Sequence, residues 1–385
     1  LKKHKLIKPK KILIFSDWYE PGYRAGGPIR SVANLVKKLP HQFSVITRNN
    51  DYDNDEPYQD IKAGVWVRKN ENTRIIYLDP VRRRIKTYRK ILKADRYDFI
   101  YLNSLFSYQF TLLPLLAANK QRNQGRIILA PRGMLKQGAL SIKSHKKKLF
   151  LFLARLFGLY NGVIWHATSE HEKKEILATF GNKAKVRVAP NLVSDETPLI
   201  KKEAKKSGVL RLVSVARISP EKNIHESLRF LQDTLHKGRI EYHIYGATAD
   251  PEYLNTCKEI AAALPHVDVI FQGPLPHYMV SETISRYDFF YLPTLGENYG
   301  HAIVESLLTG TPVIISDRTP WKNLERRKAG WDLKLDRILF NQILNHCLLL
   351  NDNDYQNMSE GARRYGLSIA QNDETFKKNL DLFIS

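Results

Sequence analysis

Two carboxylates, Glu297 and Glu305, stand eight positions apart in the stretch YLPTLGENYGHAIVESLLTGTPVIIS. Two cations, Arg217 and Lys222, stand five apart in LVSVARISPEKNIHESLRFL. A carboxylate accepts hydrogen bonds from hydroxyl groups. A fixed Arg and Lys pair suits a group on which negative charge grows as a bond breaks. The two pairs can serve one reaction only if the chain brings their loops to a common rim.

The flanking residues say how that would happen. Phe289–Leu292 reads as a buried strand, and the loop Pro293–Asn298 carries Glu297. A helical pattern runs from about Tyr299 to Leu308 and is stopped by Gly310, and Val313–Ile315 reads as the next strand. Strand, loop, helix, strand is a βαβ unit, and ligands of such sheets bind where strands end and helices begin. Backbone N–H groups of Asn298, Tyr299, Gly300 and His301 at the helix start would offer an anion site. Upstream, the strand Leu210–Val215 leads to Arg217. Ser219-Pro220 is a helix-start signal that places Lys222 in the opening turn. Near the N-terminus, Gly26 and Gly27 precede a helix beginning at Pro28, where glycines let the backbone approach a phosphate or sugar closely. Gly273-Pro274-Leu275 follows another predicted strand.

The rest of the chain repeats the same style. Ile12–Ser16, Phe43–Thr47, Phe99–Asn103, Ile127–Ala130, Val163–Ala167 and Val186–Ala189 read as short buried strands, with helical patterns such as Ile29–Leu39 and Glu170–Phe180 between them. Leu210–Val215, Tyr242–Tyr245, Val267–Phe271, Phe289–Leu292 and Val313–Ile315 form a second set. Alternating strands and helices predict doubly wound parallel sheets. The polar, aperiodic stretch Ser194–Gly208 reads as a linker.

These motifs, in this order, resemble the retaining glycosyltransferases of family four, also called glycosyl transferases group 1. The resemblance rests on Glu297-x7-Glu305 followed by Gly310-Thr311-Pro312-Val313, on the segment with Arg217 and Lys222, and on Ala25-Gly26-Gly27. It covers nearly the whole chain, most closely from about Leu210 to Asp317. It implies the GT-B fold: two Rossmann-like α/β domains, each a doubly wound parallel sheet, facing across a cleft. The expected division is an acceptor-side domain over residues 1–195 and a donor domain over 208–367, with a C-terminal helix of about 368–385 packing back on the first. It implies that Glu297 lies against the transferred sugar and Glu305 binds the donor ribose. Arg217 and Lys222 would hold the leaving diphosphate, and Asn298, Tyr299, Gly300, His301, Gly26, Gly27 and Leu275 would complete the donor site. The donor would be a UDP- or GDP-linked sugar and the acceptor a glycan or lipid-linked molecule, of the kind used to build bacterial surface polysaccharide. No metal or other cofactor is implied. Whether retention proceeds in one step or through a covalent intermediate is left open.

The acceptor side departs from the family pattern. Many relatives carry a histidine in the loop after the fourth strand of the first domain, and here that loop reads Ala130-Pro131-Arg132-Gly133-Met134. Arg132 suits an anionic acceptor or the donor phosphate. His166 is a second candidate on that side, against the plainer reading of a satisfied core histidine. Asp51, Asp53 and Asp55 invite a metal reading, but an EF-hand loop needs Gly where Glu56 stands and Glu where Lys62 stands. A solvated loop is expected there.

Composition adds a second clue. The chain of 385 residues has a net charge of +22. Residues 1–200 carry 38 basic and 16 acidic side chains, whereas residues 201–385 carry 23 of each. Such asymmetry points one half of the chain at something anionic: a membrane, a charged glycan or nucleic acid. No nucleic-acid recognition motif accompanies the charge, and such binding would leave the donor motifs unexplained. An epimerase of the same fold would need further acids and bases that the sequence does not show. Lys143–Lys148 leads into Leu149, Phe150, Phe152, Leu153, Leu156 and Phe157, which reads either as a basic turn before a core helix or as a segment lying in a membrane interface. The apolar stretch Leu149–Trp165 is short and broken by Gly158 and Gly162, so no membrane span is expected. Two cysteines, Cys257 and Cys347, form no disulfide framework and suit a reducing compartment. No leader is expected, since no uninterrupted apolar run follows the basic Leu1–Lys11. A cytoplasmic protein, peripheral at the inner face of the plasma membrane, is the resulting expectation.

Overall fold

The computed structural model describes residues 8–119, 125–136, 144–194, 203–234 and 238–384. Residues 195–202 of the expected linker, Lys143 of the basic run and residues 1–7 lie outside them. The chain divides into two compact units. Unit 1 comprises Leu1–Gly22, Pro28–Leu192 and Asp373–Ser385, and unit 2 comprises Tyr23–Gly27 and Val193–Asn372.

Unit 1 is built on eight strands: β1 (Lys11–Phe15), β2 (Gln42–Arg48), β3 (Trp66–Asn70), β4 (Thr73–Leu78), β5 (Phe99–Leu102), β6 (Arg126–Leu129), β7 (Ile164–Ala167) and β8 (Lys185–Val188). Their order is β3-β4-β2-β1-β5-β6-β7-β8. Every pairing is parallel except that of β3 with β4. Its helices are α1 (Gly27–Lys38, whose first residue is grouped with unit 2), α2 (Ile85–Ala94), α3 (Leu113–Asn119), α4 (Ser144–Leu156) and α5 (Glu170–Phe180). Because side chains alternate across a strand, β1 sends Leu13 and Phe15 to one core and Ile12 and Ile14 to another. The second core also takes Leu380, Leu382 and Phe383 from the C-terminal segment. Arg187 fixes that segment by donating to the carbonyls of Asp381, Leu382 and Ile384.

Unit 2 carries β9 (Val209–Val215), β10 (Arg239–Tyr245), β11 (Val267–Gly273), β12 (Phe289–Leu292), β13 (Val313–Ser316) and β14 (Gly330–Leu333) in the order β11-β10-β9-β12-β13-β14. All are parallel. Between and after them run α6 (Ile224–Arg229), α7 (Pro251–Ala262), α8 (His277–Ser285), α9 (His301–Leu308), α10 (Arg337–Leu349) and α11 (Asp352–Ala370). The last helix, α12 (Asp373–Asp381), belongs to unit 1. The strand order reverses direction between β9 and β12, and in open α/β sheets ligands bind at the carboxyl ends of the strands beside such a reversal.

Three local expectations need correction. The helix after β12 starts at His301, not Tyr299, because Gly300 holds a left-handed conformation with φ 78°. Ser219-Pro220 opens a single 3₁₀ turn, Pro220–Lys222, and Asn223 at φ 61° separates it from α6. Asp51 is buried and its carboxylate accepts from the Tyr52 N–H, while Asp53 and Asp55 are exposed. The loop is therefore only partly solvated, with Asp51 turned out of water. Among the described residues, no group of three or more His, Cys, Asp or Glu side chains is placed to hold a metal ion. Cys257 and Cys347 are both buried and unpaired by disulfide. No described helix is long and apolar enough to cross a membrane.

Candidate active site

In unit 2 the adjacency of β9 and β12 brings two loops together that are far apart in sequence. The first follows β9 and runs from Ala216 to Asn223. Ala216 N–H donates to the Tyr245 carbonyl and Ile218 N–H to the Ala247 carbonyl, which tie this loop to the end of β10. The close approach needs Gly246, where an added Cβ would lie 1.8 Å from the Ala216 carbonyl oxygen. The second loop follows β12. Leu295 N–H donates to the Glu221 carbonyl, the Thr294 hydroxyl donates to the same oxygen, and Asn223 Nδ2 donates to the Pro293 carbonyl. These bonds fix one loop against the other.

The result is an ion pair. Lys222 Nζ lies 2.5 Å from Glu297 Oε1, and their side chains are 13% and 12% exposed. Two charges this far out of water are favourable only as partners. Glu297 is held from its backbone too, its N–H donating to the Arg318 carbonyl. Gly300 stands close by: a Cβ there would come within 2.8 Å of Ile303 Cδ1 and 3.6 Å of Glu297 Cγ. Arg217 is half-buried in the first loop. The Ser219 hydroxyl is buried with no hydrogen-bond partner and makes no capping bond to the turn it precedes. A buried hydroxyl left unmatched beside two cations is an unused donor, which is uncommon in folded chains.

Glu305 lies one turn into α9 with its side chain 14% exposed, and His277 Nδ1 is 3.8 Å from its Oε1. His277, the first residue of α8, is a neighbour that spacing alone did not reveal; only the packing of α8 beside α9 does. The helix bearing Glu305 is anchored from behind by α11, where Arg363 donates to the Leu308 carbonyl and Ser359 to the Gly310 carbonyl. His301 is buried at the start of α9 against the Tyr299 ring, 4.9 Å between centroids. Asn298 and Tyr299 precede Gly300 in the loop rather than in the helix, and Trp321 Nε1 donates to the Tyr299 carbonyl. Leu275 packs on the unit 2 core just past β11. Gly26 has φ 68° with open space where a side chain would stand, and both Gly26 and Gly27 are grouped with unit 2.

Arg132 and His166 form a separate network in unit 1. Arg132 follows β6 at φ 57°, an unusual conformation for a residue with a side chain. Its guanidinium donates to Asn103 Oδ1 at 2.8 Å, Asn191 Oδ1 at 2.5 Å and the Tyr101 hydroxyl at 2.7 Å. All three acceptors are neutral. His166 is buried, with Nε2 2.8 Å from the Ala189 carbonyl and Nδ1 2.7 Å from the Tyr101 hydroxyl. A carbonyl only accepts, so Nε2 carries the proton. Burial, followed by the charge of Arg132, pushes the imidazole down to about 3, so the ring is neutral and Nδ1 accepts from Tyr101. The protons therefore all point one way, from Arg132 to Tyr101 to His166 to Ala189. The buried Glu172 nearby accepts from Gly133 N–H, Thr168 N–H and the Thr168 hydroxyl.

Residues 195–328 match the family model described as Glycosyl transferases group 1. Arg217, Lys222, Glu297 and Glu305 all fall inside that span. The alpha-monoglucosyldiacylglycerol synthase of Streptococcus pneumoniae is 34% identical over 168 residues, which are 39% of this chain and 37% of that protein. The match thus spans little more than a third of the curated relative's length. Among solved structures, sucrose-phosphate synthase from Thermosynechococcus elongatus superimposes with a TM-score of 0.70 at 14% identity, covering 98% of each chain. HepE from Anabaena, in complex with UDP and glucose, gives a TM-score of 0.69 at 14% identity, covering 97% of this chain and 98% of that one. At such identity the structural likeness shows the fold, which is GT-B.

Proposed function

We propose that this chain, a member of the glycosyl transferases group 1 with the GT-B fold, is a retaining glycosyltransferase that moves a sugar from a nucleotide-diphospho-sugar to a glycan or lipid-linked acceptor. The observation that carries the proposal is the Lys222–Glu297 pair, held between the loops after β9 and β12 where the strand order reverses. A ligand entering there meets a lysine, a half-buried arginine and an unmatched serine hydroxyl on one loop, and a carboxylate on the other.

The roles follow from charge. As the glycosidic bond breaks, negative charge grows on the departing diphosphate. Lys222 and Arg217 are fixed cations for that charge, and Ser219 is a hydrogen-bond donor to a phosphate oxygen. Fixed donors of this kind need no reorganisation during the reaction. Glu297, drawn off Lys222 by the phosphate, faces the sugar. Glu305 accepts from the ribose hydroxyls, with His277 beside it. Asn298, Tyr299, Gly300, His301, Gly26, Gly27 and Leu275 complete the donor side. No step calls for a metal ion, because Lys222 and Arg217 supply the counter-charge.

Unit 1 serves the acceptor. Arg132 presents its guanidinium with neutral partners only, which leaves its charge for an anionic group. His166 touches no acceptor in this reading: with both ring nitrogens engaged and the ring neutral, it orients Tyr101 and through it Arg132. The curated relative's name states a glucosylated diacylglycerol, and with the basic residues 1–200 it supports an acceptor at an anionic membrane on the cytoplasmic side. The test is to supply a panel of α-linked UDP- and GDP-sugars with a lipid extract and to determine the product's anomeric configuration by NMR. An α-linked product supports the reading. A β-linked product, or donor consumed without transfer, contradicts it.

A further inference from the structure

Helix α4 carries apolar side chains on its outer side as well as its inner one. On its inner side Leu151 and Ala154 are buried in the unit 1 core, and Phe150 meets Phe106 edge-on with ring centroids 5.8 Å apart. On its outer side Leu149, Phe152, Leu153, Leu156 and Phe157 are 59%, 63%, 39%, 65% and 77% exposed. The intervals of three and four place these five side chains in one stripe. Phe157 extends the helix by donating its N–H to the Leu153 carbonyl at 2.9 Å. A continuous apolar stripe in water marks a surface that something covers.

The charge around the stripe says what. Lys146 and Lys148 are exposed at its start and Arg155 along it, while Lys147 lies 5.5 Å over the Phe106 ring. Tyr108, two residues beyond Phe106, is 63% exposed. The excess positive charge of the chain is confined to residues 1–200. A second copy of the same chain would bring two such basic faces together, and like charge opposes that. A bilayer rich in anionic lipid satisfies both features: headgroups meet the lysines, and the acyl boundary takes the leucines and phenylalanines.

We propose that the outer face of α4 is a monotopic docking surface for an anionic bilayer, with Leu149, Phe152, Leu156 and Phe157 inserted below the headgroups and Lys146 and Lys148 at their level. The proposal deepens the lipid-acceptor reading, on which its purpose rests, by naming the element that meets the membrane. Each inserted Leu or Phe changes partitioning roughly tenfold, and each lysine near the leaflet roughly fivefold.

The test uses the full chain and vesicles of equimolar phosphatidylglycerol and phosphatidylcholine, with pure phosphatidylcholine as the control. The wild type should sediment with the anionic vesicles and release partly as salt rises. The double variant F152S/F157S should lose roughly 100-fold in binding with an unchanged melting temperature, since both side chains are exposed. K146E/K148E should lose at least as much. F152W should be quenched by brominated phosphatidylglycerol and not by an aqueous quencher. Equal binding to both vesicle types, or no change in F152S/F157S, overturns the proposal. So does a Phe152-dependent dimer in velocity sedimentation without vesicle binding. Nucleotide-sugar binding measured in parallel separates the two readings. A chain that binds donor but not vesicles loses only the docking surface, and one that binds vesicles but no donor loses only the enzymatic reading.

Discussion

Replacing Glu297 with Gln should tighten the binding of the nucleoside diphosphate while abolishing transfer. Lys222 Nζ stands 2.5 Å from Glu297 Oε1, with side chains 13% and 12% exposed. With an effective dielectric constant near 20, the gross attraction at that separation is about 7 kcal/mol. Desolvation of both groups offsets most of it, so the net contribution is about 2 kcal/mol. A diphosphate that takes over Lys222 must first break this pair. Glu297→Gln removes that cost and removes a negative charge beside the phosphate, so UDP or GDP should bind about fivefold more tightly, a change of about 1 kcal/mol. The same variant should lose about 2 kcal/mol of folding stability, because Lys222 is left without its counterion. Lys222→Ala should do the reverse for binding, weakening the diphosphate roughly 50-fold, since the cation goes and Glu297 then repels the ligand. The double variant should recover part of that loss. Isothermal titration of UDP and GDP against the four proteins, with urea unfolding of each, closes the cycle. If the two single changes add within about 0.5 kcal/mol, the residues are not coupled and the reasoning fails. It also fails if Glu297→Gln keeps near-normal turnover.

His166 is neutral in the fold, depressed to about 3 from an ordinary 6.5. Its contribution to stability is therefore complete above pH 6.5 and is lost progressively as pH falls towards 3. From pH 6.5 down to 5 that is about 2 kcal/mol, which should be absent from His166→Gln when urea midpoints of the two proteins are compared at both values. Gly246→Ala forces the chain away from the Ala216 carbonyl, and should cost about 3 kcal/mol of stability and weaken diphosphate binding through displacement of Arg217, measurable by the same titration. Arg217→Ala should slow transfer on the order of 100-fold, read from single-turnover rates. Dialysis against EDTA should leave turnover unchanged, and a loss restored by Mg²⁺ or Mn²⁺ would count against the metal-free mechanism.

Much of the fold was legible because buried parallel strands read as short apolar runs. Phe289–Leu292 coincides with β12, and Glu170–Phe180 coincides with α5. Of the three strands not expected from the sequence, Thr73–Leu78 is a buried apolar run like the rest, and the other two lack that mark. Trp66–Asn70 is an edge strand with exposed, charged residues, and Gly330–Leu333 reads GWDL, closer to a turn. Both helix starts near the candidate site were misplaced because single left-handed residues, Gly300 and Asn223, decide them. Helical periodicity carries no trace of such a residue. Lys222 and Glu297 could each be named from the sequence, but not their contact across 75 positions, which depends on β9 and β12 being neighbours. Likewise, Arg132 stood out as a departure, whereas its tether to Asn103, Asn191 and Tyr101 follows from β5, β6, β7 and β8 being successive neighbours whose carboxyl ends share one edge of the sheet.

The central claim is that the rim where the loops after β9 and β12 meet binds a nucleotide-diphospho-sugar. Thermal unfolding against a panel of UDP-, GDP- and ADP-sugars, with RNA as the competing ligand, tests it most directly. A donor supplied at about one hundred times its Kd should add about 2.7 kcal/mol of stability, and the gain should vanish in Lys222→Ala. Stabilisation by RNA with none from any nucleotide sugar would contradict the account.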